Sequence, residues 1–94
     1  MTAQLDARTR VTVSPSVYSR AFGGEVVLLD FARGEYFGLD EIGAEIWRGL
    51  SGGDDLGTIA THLALRFEVT AEDALTDIIQ LVGQLHAHNL IDFM

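Results

Sequence analysis

Three histidines and fourteen carboxylates are the side chains of this sequence that could hold a metal or move a proton. His86 and His88 stand two positions apart on a predicted helix. They point to different faces and cannot chelate one ion together. His62 is alone on another helix. Cysteine is absent, which excludes thiolate ligands, disulfides and cysteine nucleophiles. No His-Glu-x-x-His motif, phosphate loop or nucleophile elbow occurs. The adjacent acids Asp54-Asp55 and Glu72-Asp73 fall at predicted helix starts, where the helix dipole favours negative charge. They read as caps rather than as acid/base or metal groups. No catalytic residue, no metal site and no cofactor is assigned, and the chain does not read as an enzyme.

The remaining candidates are surfaces, and composition limits what they can meet. Ninety-four residues make one domain, with 48% hydrophobic and 21% charged residues arguing against disorder. The formal charge is −8, and all six bases are arginine. Nucleic acid and anionic membranes are poor long-range partners for such a chain. No apolar run is long enough to span a bilayer, no signal peptide is recognisable, and the lack of cysteine suits a reducing compartment. The expectation is a cytoplasmic protein, a monomer or weak dimer.

Residues 1–9 are polar and are expected to be a flexible N-terminus, with a single domain over 10–94. Arg10–Val13 alternates polar and apolar as a half-buried strand does. Pro15 breaks it, and Val17-Tyr18 adds at most a short extended piece. Glu25–Phe31 carries apolar residues on both faces and reads as a covered central strand. Ala32-Arg33-Gly34 is a hairpin signal, and Glu35–Leu39 is the returning strand, an edge. Asp40 caps a helix from Glu41 to Leu50, with Ile42, Ile46 and Leu50 as its buried stripe and Trp47 beside it. Gly43 in its first turn suggests close approach by another backbone. Asp54 or Asp55 caps a second helix to Phe67, with stripe Leu56, Ile59, Ala60, Leu63 and Phe67. Thr70 caps a third helix to His88, where Asn89 can take the left-handed exit. The predicted fold class is α+β: a three-stranded antiparallel sheet at the N-terminus, then three helices in a winged helix-turn-helix arrangement.

Two features of this outline point to a binding surface. On the third helix, Ala74, Leu75, Ile78, Ile79, Leu81, Val82 and Leu85 span an arc of about 160°, wider than packing on one core requires. Either this helix is central, or one flank (Leu81, Ile78, Leu85) lines an open groove. The edge strand carries Tyr36, Phe37 and Leu39 without lysine or proline, the usual guards of an exposed edge. Either a helix or the N-terminal segment covers it, or it accepts a partner strand.

The stretch Tyr36-Phe37-Gly38-Leu39-Asp40-Glu41-Ile42-Gly43-Ala44-Glu45-Ile46-Trp47 resembles the signature of the PqqD-like family of peptide-recognition proteins, the RiPP recognition elements. Val27–Asp30, Ile59-Ala60, Thr76-Asp77-Ile78 and Asn89-Leu90-Ile91 fit the same pattern, with threonine for alanine and asparagine for glycine as departures. The resemblance spans about residues 10–92 and is nearest to the stand-alone proteins that recognise lasso-peptide leaders. It implies a winged helix-turn-helix fold and a non-catalytic adaptor for a ribosomally made precursor. The leader would add as a strand to the third strand, on Glu35, Tyr36, Phe37, Gly38 and Leu39, against Ala74, Asp77, Ile78, Leu81 and Leu85 of the third helix. Asp73 and Asp77 could pair with a basic leader residue. The implied partners are the leader, a leader peptidase and a cyclase. The alternative is a winged helix-turn-helix DNA-binding regulator. The third helix, which carries Glu72, Asp73 and Asp77 and no arginine, speaks against it.

Overall fold

The structure, a computed structural model, describes residues 5–94. Its elements in chain order are β1 (Val11–Val13), β2 (Val17–Phe22), β3 (Glu25–Asp30), β4 (Glu35–Leu39), α1 (Glu41–Ser51), α2 (Leu56–Arg66), α3 (Ala71–Ala87) and β5 (Ile91–Phe93). The α+β class and the order of three antiparallel strands followed by three helices are as expected. The membership of the sheet is not. The antiparallel sheet runs β2-β3-β4, while β1 leaves it and pairs antiparallel with β5, Val11 opposite Phe93 and Val13 opposite Ile91. The physical reason lies in the turns. Gly23, at φ 62°, closes a hairpin that sets Val17–Phe22 in register along β3, from Val17–Asp30 to Phe22–Glu25. β1, cut off from β2 by Pro15, takes the strand at the far end of the chain instead.

The helix ends follow from local chemistry. Asp40 Oδ1 accepts from the Gly43 N–H at 2.8 Å and Thr70 Oγ1 from the Asp73 N–H at 3.1 Å. α3 closes with a Schellman motif. Asn89 sits at φ 60°, its N–H donating to the His86 carbonyl and the Leu90 N–H to the Leu85 carbonyl, both at 3.0 Å. Leu90, turned back by that exit, is fully buried and leads into β5.

Asp55 caps α2 by accepting from the Thr58 N–H at 2.8 Å. Hydrogen bonding from Thr58, through its side chain and then its backbone, holds the Asp55 carboxyl below its usual value of 3.8. A depressed folded-state pKa contributes stability above the unfolded value, and that contribution fades as pH falls through the folded one. Asp55→Asn should therefore flatten the acid limb of the stability profile below about pH 4 while leaving neutral-pH stability little changed, measured by urea melts from pH 2 to 7.

Of the tail expected over residues 1–9, residues 1–4 lie outside the described residues, and Ala7 and Thr9 are hydrogen-bonded to the start of α2. The Leu56 N–H donates to the Thr9 carbonyl at 3.0 Å and the Gly57 N–H to the Ala7 carbonyl at 2.8 Å, so the chain satisfies amides that the start of a helix leaves free.

The core gathers Leu28 from β3, Leu50 from α1, Leu56 from α2, Ile78 and Val82 from α3, and Leu90, all fully buried. Ile46, Trp47, Ile59, Ala60 and Leu63 join it as predicted; Ile42 does not and is exposed, because it borders the open space beside Gly38, Leu39 and Leu81 instead of the core. At Gly43 it is the Leu39 side chain, 3.2 Å from where a Cβ would stand, that comes close, rather than another backbone. The tighter approach is at Gly49, where a Cβ would lie 2.5 Å from Ile59 Cγ1. This glycine lets α1 and α2 touch. Gly49→Val should therefore destabilise the fold by about 2 kcal/mol, from overpacking between the two helices, read from a urea midpoint.

β3 is central but not covered on both faces. Val26, Leu28 and Asp30 are buried, whereas Val27 and Leu29 on the other face are half exposed. Asp30 is the one buried charged residue among those described, and its Oδ1 is satisfied by the Ser16 hydroxyl at 3.0 Å and the Ala32 N–H at 3.1 Å.

Candidate peptide-binding site

β4 lies at the margin of the sheet, hydrogen-bonded to β3 on one side and, among the described residues, to no strand on the other. Among the described residues, neither end of the chain covers it: Ala7 and Thr9 bond to the start of α2, and β5 pairs with β1. α3 packs on α2 and β5, and between it, β4 and the start of α1 an open groove of about 540 Å³ remains. Its walls are Gly38 and Leu39 of β4, Ile42 and Ile46 of α1, and Asp77, Leu81 and Gln84 of α3, with Asp40 and Gly43 at the corner. Leu39, Ile42, Ile46 and Leu81 give it an apolar floor. The carboxylates of Asp40 and Asp77 stand at its rim.

Helical spacing explains which part of α3 faces the strand. Asp77, Leu81, Gln84 and His88 recur at four, three and four residues, one face of the helix. The last of them packs against Phe37 of β4, ring centroids 4.7 Å apart and planes tilted by 52°. Phe37 and Leu39 turn inward and Tyr36 and Gly38 outward, the alternation a strand requires. The predicted site residues thus divide. Gly38, Leu39, Asp77 and Leu81 meet in the groove. Glu35, Tyr36 and Phe37 continue the free backbone edge beyond it. Ala74, Ile78 and Leu85 are core residues, at 2%, 0% and 4% exposure, and they hold the wall from behind without lining it. Asp73 faces a different cleft, with Leu65, Phe67 and Val69 at the α2–α3 connection.

Sequence reasoning passed over Ile42, Gln84 and His88. Continuing the Asp77–Leu81 stripe by one more turn finds the last two. Ile42 was placed in the core by its period, and only its neighbours in space put it at the groove. Among the described residues no cluster of three or more histidine and carboxylate groups could hold a metal. Nor, among the described residues, is any helix long and apolar enough to cross a membrane.

The profile of the family described as coenzyme PQQ synthesis protein D (PqqD) matches residues 25–91, from β3 through α3 into β5. The chain belongs to the PqqD family. Two solved structures share its fold closely. One is TbiB1 in complex with the TbiA(beta) leader peptide, 30% identical with a TM-score of 0.82 over 86% of this chain and 94% of the other. The second is a lasso peptide synthetase B1 complexed with the leader peptide, 29% identical with a TM-score of 0.82 over 88% and 98%. No curated protein matches the chain. This PqqD-family chain is thus homologous, over most of its length, to lasso peptide synthetase B1 proteins that bind leader peptides.

Proposed function

We propose that this chain is a non-catalytic adaptor of lasso-peptide biosynthesis that binds the leader segment of a ribosomally made precursor. The leader adds as an antiparallel strand to Glu35–Leu39 and lays apolar side chains on the Leu39–Ile42–Leu81 floor. Asp77 and Asp40 favour a basic leader residue nearby. The adaptor then presents the precursor to a leader peptidase, with the cyclase acting on the product. One observation carries this reading: an open groove beside an unpaired strand edge, in a chain that shares its fold with two leader-complexed proteins.

The DNA-binding alternative finds little support in the placement of charge. Arg66, the only base of α2, is paired with Glu45, which also takes Arg48. The carboxylates of α3 give its exposed face the wrong sign for phosphate. A fluorescein-labelled leader from the precursor of its own pathway should bind saturably, with Kd below about 10 µM, near −7 kcal/mol, when followed by anisotropy. No binding at tens of micromolar rejects the adaptor. Retention of duplex DNA in a low-salt gel shift restores the regulator.

A further inference from the structure

The two walls of the groove are held by different neighbours. β4 is bonded to β3 and packs on α1, whereas α3 packs on α2 and β5. No further strand or helix sits between them to set the width of the opening. At one end the walls meet through a ring pair, Phe37 of β4 with His88 at the close of α3. Among the described residues no other aromatic pair joins these two elements.

The backbone fixes where the His88 ring stands, although the residue is exposed. The His88 N–H donates to the Gln84 carbonyl at 3.1 Å. Asn89, at φ 60°, then turns the chain so that Leu90 is buried. His86 is committed elsewhere. Its ring packs on Phe93 with centroids 4.5 Å apart, and its Nε2 lies 3.7 Å from Asp92 Oδ1. The end of α3 is thereby tied to β5, and His88 is presented from an anchored turn. Its partner Phe37 is half-buried at the middle of β4.

We propose that His88 is a positioning residue of the leader site: packed on Phe37, it is the clasp that holds the β4 edge at a fixed spacing from α3. The proposal rests on the adaptor reading and names what keeps the groove in its binding shape. An added antiparallel strand turns alternate side chains inward. One inward position lies opposite Leu39, over the apolar floor. The next lies opposite Phe37, two leader residues on, and comes down beside the clasp. A ring already held there needs no ordering when the leader arrives. A loose Phe37 would have to be ordered on binding, and the strand edge with it, which lowers affinity. His88 lies outside the buried core, so it can act on leader affinity without carrying the fold. The contact uses a flat ring, so phenylalanine should replace it and glutamine should not.

The test compares His88→Ala, His88→Gln and His88→Phe in the full chain. All three should melt with the parent. By anisotropy, His88→Ala and His88→Gln should bind the labelled leader about tenfold more weakly, the scale of one aromatic pair, and His88→Phe should stay within twofold. In the free protein, hydrogen exchange followed by NMR should quicken at the β4 amides of His88→Ala and His88→Gln. It should return to the parental rate in His88→Phe, with the α2 amides unchanged throughout. Leader affinity within twofold of the parent in His88→Ala overturns the proposal. An equal loss in His88→Phe overturns it as well, since a ring then does not suffice. So does a lowered melting temperature in every variant alongside the same loss, because His88 then merely supports the fold. If the parent itself fails to bind leader, the adaptor reading fails, and the exchange rates still decide the clasp: unchanged β4 exchange in His88→Ala overturns it.

Discussion

Leu81→Asp should yield a folded protein that binds leader roughly 100-fold more weakly than the parent. Leu81 is half-buried, with one side against the core and the other open to the groove, so in the free protein the new carboxylate can stay in water. When the leader covers the groove, however, the new carboxylate loses water and gains no partner. Asp77 one turn away and Asp40 across the groove add like charge. Burying an unpaired polar group costs about 1–3 kcal/mol and a charge more, so a loss near 2.7 kcal/mol, two orders of magnitude in Kd, is the expected scale. Leu81→Asn separates the two contributions, since it keeps the polarity and drops the charge. Anisotropy titrations alongside circular dichroism melts check both. Unchanged affinity in a folded Leu81→Asp protein removes Leu81 from the site.

The second large effect is expected in the peptide. If the leader joins β4 as a strand, only every second leader N–H points at β4 and the others point away. Single N-methylation walked along the leader should therefore weaken binding with a period of two residues. Each sensitive position should lose about 1–3 kcal/mol, roughly 5- to 150-fold, because a β4 carbonyl loses its donor and the methyl group obstructs the ladder. A helical leader would show no such alternation. A leader held by side chains alone would be indifferent to the methyl groups.

What the chain discloses before folding is its local chemistry. Asp40, Thr70 and Asn89 mark the ends of helices because each cap acts within three or four residues of itself. Asp55 was one of two candidates for the same reason, and Gly34 takes its positive φ where the hairpin demands it. Partnerships between distant segments are not written so plainly. Val11–Val13 looks like any short strand, and nothing in its four or five neighbours says that its partner is Ile91–Phe93 rather than the sheet next to it. Val17–Phe22 was under-read because Ser19 and Arg20 dilute its apolar signal, although the Gly23 turn commits it to β3. The groove was half legible. The period of α3 picks out Asp77 and Leu81, but whether Ile78 and Leu85 are wall or core depends on how far α3 is rotated, which its packing against α2 decides.

The pairing of β1 with β5 has a consequence for when the molecule can be completed. β1 waits for Ile91–Phe93 to be made, so ribosome-borne chains hold Val11 and its neighbours unpaired until that distant strand has emerged. Deleting Ile91–Phe93 would release β1 as well as removing β5, and would loosen the hold on Leu90 at the exit of α3. Damage to either strand is thereby transmitted to the other.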